Sequence, residues 1–306
     1  FYASLGLGHS IFFDRETFGA DYLATGYRTR SWEEFLRHVP LSEAAKRDVI
    51  RVEEGTTDYF PGLDATAKKQ KLLRMSYESY LRDVVKADPS VVTLYHSLTK
   101  GWWGVGIDAI SALDAWGTEM PGFKGLRLPA GSIPGMGYTP AGFTDTGGSV
   151  FMHFPDGNAT VARSIVRQLI PDALPGTSVE DLVTARANYA VLDRENQSVR
   201  LRLNSIVVGV HHDDADLQRS RFVTVAYQRD GRVLQVRARQ CILACYSAVI
   251  PHLVPELPVR QKAAMHEAVK TPLVYTTVGI ANWRPFKELG VASIYAPSAY
   301  FPMVRL

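Results

Sequence analysis

Residues 222–238 read FVTVAYQRDGRVLQVRA, and their pattern decides the fold class. Two alternating runs, Phe222–Gln228 and Val233–Ala238, flank the tip Arg229-Asp230-Gly231. Alternation at period two sends successive side chains to opposite faces of a strand. An Asp-Gly tip supplies the left-handed backbone that a tight hairpin turn requires. Outward from this hairpin, Tyr189–Leu192, Val199–Leu203 and Ile206–Val210 read as short strands before it. After it, Cys241–Cys245 is wholly apolar, as in a strand covered on both faces. A helix at about Val259–Val269 and a strand at Leu273–Ile280 follow. The carboxyl-terminal half is therefore expected to be a β-meander with accompanying helices.

The amino-terminal half reads as helical. Ser31 followed by Glu34 is a capping box, in which serine and glutamate satisfy amides left unpaired at a helix start. Asp64 caps 65–74 and Ser76 caps 77–86. Asp88-Pro89 starts another helix, because proline at the first helical position loses no bond; this one is expected to stop at Gly101. A further helix is predicted over Ile107–Trp116. Between 117 and 150 glycine and proline alternate too densely for a regular element, which predicts a lid or an insertion. Asn158 then opens an amphipathic helix carrying Val161, Ile165, Val166, Leu169 and Ile170, and Ser178 with Asp181 opens a short one. The expected class is α/β (α+β): a mostly helical part over 1–150, including the glycine- and proline-rich connection 117–150, then a β-rich part over 151–306.

The chain has 306 residues, 46% hydrophobic and 21% charged, with 34 Lys+Arg against 31 Asp+Glu. That balance is globular rather than disordered, and a net charge of +3 is no signature of nucleic-acid binding. No apolar stretch approaches the roughly 20 residues of a membrane span. Two cysteines cannot form a disulfide framework. The chain starts at Phe1 and ends in the apolar run before Leu306, which reads as an interior fragment, so the lack of a signal peptide leaves the compartment open.

Two patterns fail as chemistry. Gly104-Val105-Gly106-Ile107-Asp108-Ala109 matches a dinucleotide fingerprint, but a helix rather than a buried strand leads into it, so it reads as a glycine-rich turn between helices. The eight histidines show no H-E-x-x-H or Cys/His spacing, which argues against a zinc site, and no G-x-S-x-G elbow is present. Two stretches carry more. Gly157 permits close backbone approach and Asn158 precedes a helix start, where exposed amides favour an anion or an electron-rich ring; a simple turn and cap is the plain alternative. Trp102 and Trp103, followed by Asp108 and Asp114, suit an organic cation through ring-face attraction and charge pairing; core tryptophans with capping acids are the alternative.

The run FPDGNATVARSIVRQLIP at 154–171 resembles the flavin-dependent amine oxidoreductases of the spermidine dehydrogenase type, within the flavin amine oxidase and phytoene desaturase superfamily. LGLGHSIFFDRETFGAD at 5–21, GWWGVGIDAISALDAWG at 101–117 and CILACYSAVIPHLVPELP at 241–258 agree with it. The resemblance implies a partial FAD-binding fold without the family's amino-terminal strand–GxGxxG–helix unit and its carboxyl-terminal FAD segment, and a return to the substrate domain from about residue 270. FAD contacts would fall to Gly157, Asn158, Val207 and Ala244. Where many amine oxidases place a lysine near flavin N5, this chain has Tyr275, with Lys270 five residues earlier, so no catalytic residue is assigned. The implied reaction is oxidation of an amine C–N bond, the substrate being a polyamine such as spermidine held by Trp102, Trp103 and Asp108. The 306 residues alone are expected to bind FAD poorly and to be inactive. Family members hint at the bacterial periplasm or inner membrane. A flavin-dependent desaturase or oxidase of a non-amine substrate, and a non-catalytic binding module, are the rival readings.

Overall fold

The computed structural model describes residues 2–144 and 154–306. The chain is a mixed α/β protein of two compact units, Phe1–Ser149 with Thr271–Leu306, and Val150–Lys270.

The first unit holds a four-stranded sheet in the order β2-β1-β6-β7, with β1 Gly8–Phe13, β2 Tyr22–Tyr27, β6 Val291–Tyr295 and β7 Met303–Arg305. β1 pairs antiparallel with β2 and parallel with β6. It therefore buries Ile11 and Phe13 on one face, while Ser10 hydroxyl donates to the Ser293 carbonyl at 2.9 Å. The helical reading of the first half thus misses a β-hairpin at its start. Helices follow: α1 Arg15–Phe18, α2 Trp32–Leu36, α3 Glu43–Glu54, α4 Ala65–Leu73, α5 Tyr77–Ser79, α6 Pro89–Tyr95, α7 Lys100–Trp103 and α8 Ala112–Gly117. Ser31, Asp64, Ser76 and Asp88 accept the backbone hydrogen bonds expected of caps. α5 continues into a π-helical turn over Tyr80–Val85, closed by Lys86 in the left-handed region.

Tyr77, Tyr80, Leu72, Leu81, Ile107 and Leu113 are fully buried at the centre of this unit. The tyrosine hydroxyls satisfy themselves on the connection that follows α8, Tyr77 donating to the Pro121 carbonyl and Tyr80 to that of Gly122, each at 2.8 Å. Phe123 stacks on Tyr80 at 4.6 Å, and Leu126 and Met136 join the core. Residues 121–126 and Met136 of the glycine- and proline-rich connection therefore belong to the core rather than to a lid, because buried hydroxyls need its free carbonyls, whereas Tyr138 is exposed. Residues 145–150 of it lie outside the described residues.

The second unit carries the antiparallel meander β3 Ile206–His212, β4 Val223–Arg229 and β5 Arg232–Ala238. Asp230 and Gly231 both take positive φ at the hairpin tip, the geometry of the expected tight turn. α9 Ala159–Leu169 and α10 Val179–Thr184 precede the meander, and α11 Ile250–Leu253 and α12 Val259–Glu267 follow it. A small core forms around Ile170, Ala173, Val191 and Leu192. Beside it Asp193 accepts from Arg202, Arg200 and Arg229 at 2.7–2.9 Å, and Arg202 Nη1 donates onward to the Tyr227 hydroxyl at 2.8 Å.

Four expected strands are not strands. Tyr189–Val191 is a 3-10 turn, residues 199–203 are irregular, and 241–245 and 273–280 are irregular and largely exposed. A doubly covered strand exists only where neighbours take its backbone groups, and among the described residues none of these segments joins a ladder, although the Leu201 amide donates to the Leu192 carbonyl at 2.7 Å. α13 Arg284–Leu289 then leads into β6.

Candidate functional site

In the first unit, α6 ends at His96 and α7 presents Trp102 and Trp103 before Gly104 closes it in the left-handed region. Trp102 is 59% exposed, whereas Trp103 packs against the core. The two rings lie 6.1 Å apart at a 37° tilt, and more than half of Trp102 is open to solvent. Gly104-Val105-Gly106 is a turn after a helix, as its helical approach implies, and it accommodates no pyrophosphate-gripping strand.

The same turn gathers three ionisable groups that no sequence motif connects. One ligand atom each from Glu78, His96 and Asp108 lies within 4.8 Å of the others, with His96 Nδ1 3.9 Å from Glu78 Oε2. Ile107, fully buried, ties the segments together. Its amide donates to the His96 carbonyl at 3.1 Å, and its carbonyl accepts from the Glu78 amide at 3.0 Å. Tyr77 amide donates to the Ile110 carbonyl and Ala112 amide to the Met75 carbonyl. These bonds explain why the helix expected from Ile107 begins only at Ala112. Asp108 thus meets Glu78 and His96, two residues that sequence reading missed; their separations of 18 and 12 positions correspond to no local pattern. Asp114, the other acid of this stretch, accepts from the Gly137 amide at 2.8 Å and from the Ser111 hydroxyl, so it is a capping and bracing group.

A cavity of about 760 Å³ opens elsewhere in this unit, lined among others by Arg28, Arg30, Glu53, Trp116, Lys124 and Arg127. Glu53 is buried and accepts from the Tyr95 hydroxyl at 3.1 Å and, weakly, the Tyr27 hydroxyl at 3.5 Å. Burial pushes its carboxyl up, against the opposing pull of Arg28. Burial also raises both tyrosines. A buried, raised carboxyl on a cavity is a recognisable acid–base group, and only its burial marks it, since Glu53 and Glu54 read alike in the sequence. Four cationic side chains against Glu53, Glu54 and Glu119 make this cavity unsuited to a polycation.

The residues expected to meet FAD lie in the second unit. Gly157 has φ of +67° and free space where a Cβ would stand, and Asn158 precedes α9 without a side-chain cap bond. Val207 sits on β3, opposite Tyr227 of β4, at the sheet's edge. Ala244 lies in the exposed segment 241–245. The glycine turn is open, β3 is an edge strand, and 241–245 is exposed and outside any ladder. The phosphate-gripping turn such a cofactor needs is not among the described residues. No protein-family model and no curated protein matches the chain.

Proposed function

We propose that this chain is part of an FAD-dependent amine oxidoreductase acting on a polyamine. The observation carrying the proposal is the order of its parts. The helices α2–α8 are followed in the chain by the antiparallel meander β3–β5 and then by the apolar segment 241–245, exposed and without a ladder partner. This is where resemblance to the spermidine dehydrogenase type puts a cofactor-contacting strand. Gly157, Asn158, Val207 and Ala244 would hold the cofactor. FAD would supply an acceptor for the hydride that leaves the amine α-carbon, the imine then hydrolysing.

The chain's own contribution is to bind and orient the amine. Trp102 offers an exposed indole to a cationic end, an attraction of about 0.5–1 kcal/mol at an exposed site. Trp103, turned to the core, fixes the helix that presents it.

The test uses the full-length gene product that contains these residues. A yellow preparation whose flavin absorbance bleaches anaerobically with spermidine is expected. Trp102→Ala should raise KM for the polyamine about two- to five-fold with kcat unchanged, the mark of binding lost equally from ground and transition states. A colourless protein that takes up no FAD would overturn the flavin assignment, and a flavin unresponsive to an amine panel would overturn the substrate assignment.

A further inference from the structure

We infer that Glu78, His96 and Asp108 form a binding site for a borderline divalent metal ion of the zinc type. This goes beyond the amine-oxidising reading and does not depend on it.

The three groups supply one imidazole nitrogen and two carboxylate oxygens. That mixed set suits a first-row transition ion better than calcium or magnesium, which favour oxygen alone. Their ligand atoms lie within 4.8 Å of one another, a spacing that side-chain rotation closes around one ion. The second shell is in place: Arg82 Nη1 donates to Glu78 Oε1 at 3.1 Å, leaving Oε2, the oxygen nearer His96, free to ligate. Outer bonds of this kind orient ligands before the ion arrives. The framework is equally fixed, because buried Ile107 hydrogen-bonds to both the Glu78 and His96 backbones.

Gly106 completes the case. A Cβ at this position would stand 2.7 Å from Asp108 Oδ1 and 2.8 Å from His96 Cε1 and Nε2. The absent side chain is therefore what lets the imidazole and the carboxylate converge. Asp108 is exposed and Glu78 and His96 are part-exposed, so an ion reaches the site from solvent. Three protein ligands leave an open position for water, as in exchangeable zinc sites.

The experiment is a zinc titration of the EDTA-stripped full chain against a chromophoric chelator. It is run in a Cys241→Ser, Cys245→Ser background, since both thiols are exposed. One zinc per chain is expected, with Co²⁺ substitution giving a visible d–d spectrum of a low-coordinate site. His96→Ala should weaken binding at least ten-fold. Gly106→Ala retains every ligand yet should weaken it about ten-fold by forcing the two side chains apart, a loss typical of disturbed metal support. Far-UV circular dichroism confirms that each variant is folded. Stripped chain that takes up no zinc, or affinity unchanged in folded His96→Ala, would overturn the inference. Neither result touches the flavin, so failure here is distinguishable from failure of the amine reading.

Discussion

Glu53 shows how far one residue's environment departs from its sequence context. It closes α3 beside Glu54, yet only Glu53 turns inward to the hydroxyls of Tyr95 and Tyr27. Burial raises its carboxyl above the ordinary glutamate range. The folded state therefore holds the proton more tightly than the unfolded chain does. The stability attached to that proton is complete below about pH 4, where both states are protonated, and is lost as pH rises through the folded-state value. Glu53→Gln keeps the acceptor oxygen and the volume without the charge. It should melt higher than the native chain at pH 7, and the difference should vanish towards pH 4. Thermal melts followed across that range check it; equal melting temperatures at pH 7 would mean Arg28 compensates the buried charge fully. Glu78 and His96 escaped sequence reading for the same reason. A ligand set assembled by Ile107 across three segments leaves no local spacing, whereas Asp108 stands out in the sequence because tryptophans are near it.

At the scale of elements, what is local is legible. The caps at Ser31, Asp64, Ser76 and Asp88 and the hairpin tip at Asp230-Gly231 are set by residues within a few positions of one another; at Ser31 the serine half of the expected capping box forms, while the Glu34 carboxylate lies 3.8 Å from Arg30 Nε. Ser178 is the fullest case. Its hydroxyl accepts from the Asp181 amide at 3.1 Å, and Asp181 Oδ2 accepts from the Ser178 and Thr177 amides, each at 3.1 Å. Ser178→Ala should cost about 1 kcal/mol, read as faster amide exchange throughout α10; unchanged exchange would show that packing of Leu182 alone holds the helix. Asn158 marks the limit, since α9 starts where expected without a side-chain bond from its cap. Strands are less legible because their partners are remote. β1 pairs with β6 across some 280 residues, and its six-residue run was hidden among helical signals. Conversely, 241–245 and 273–280 have strand composition but no ladder, since apolar content makes a strand only where neighbours take its amides and carbonyls.

The whole molecule divides its apolar burial unequally between the two units. The first has a continuous core running from Ile11 and Phe13 through Leu72, Tyr77, Tyr80 and Leu113 to Tyr295. The second relies on a small cluster around Ile170, Ala173, Val191 and Leu192; α9 leaves Val161, Ile165 and Leu169 about half exposed and β5 leaves Val233 and Val236 exposed. Hydrophobic stabilisation follows buried apolar area, so the second unit should be the weaker. Its chief polar brace is Asp193, whose carboxyl is held far below the usual range by hydrogen bonds from Arg202, then Arg200 and Arg229. That brace is present at neutral pH and is lost only as pH falls below the ordinary aspartate range. Calorimetry should therefore resolve two transitions rather than one. Asp193→Asn should cost about 1–2 kcal/mol, the range of a partly exposed charged network, and lower only the first transition, by roughly 5 °C. Leu72→Ala, in the larger core, should cost about 2–5 kcal/mol and lower only the second. A single transition moved by both substitutions would mean that the units unfold as one cooperative body. Two transitions in the reverse order would mean that the Asp193 network outweighs the difference in core size.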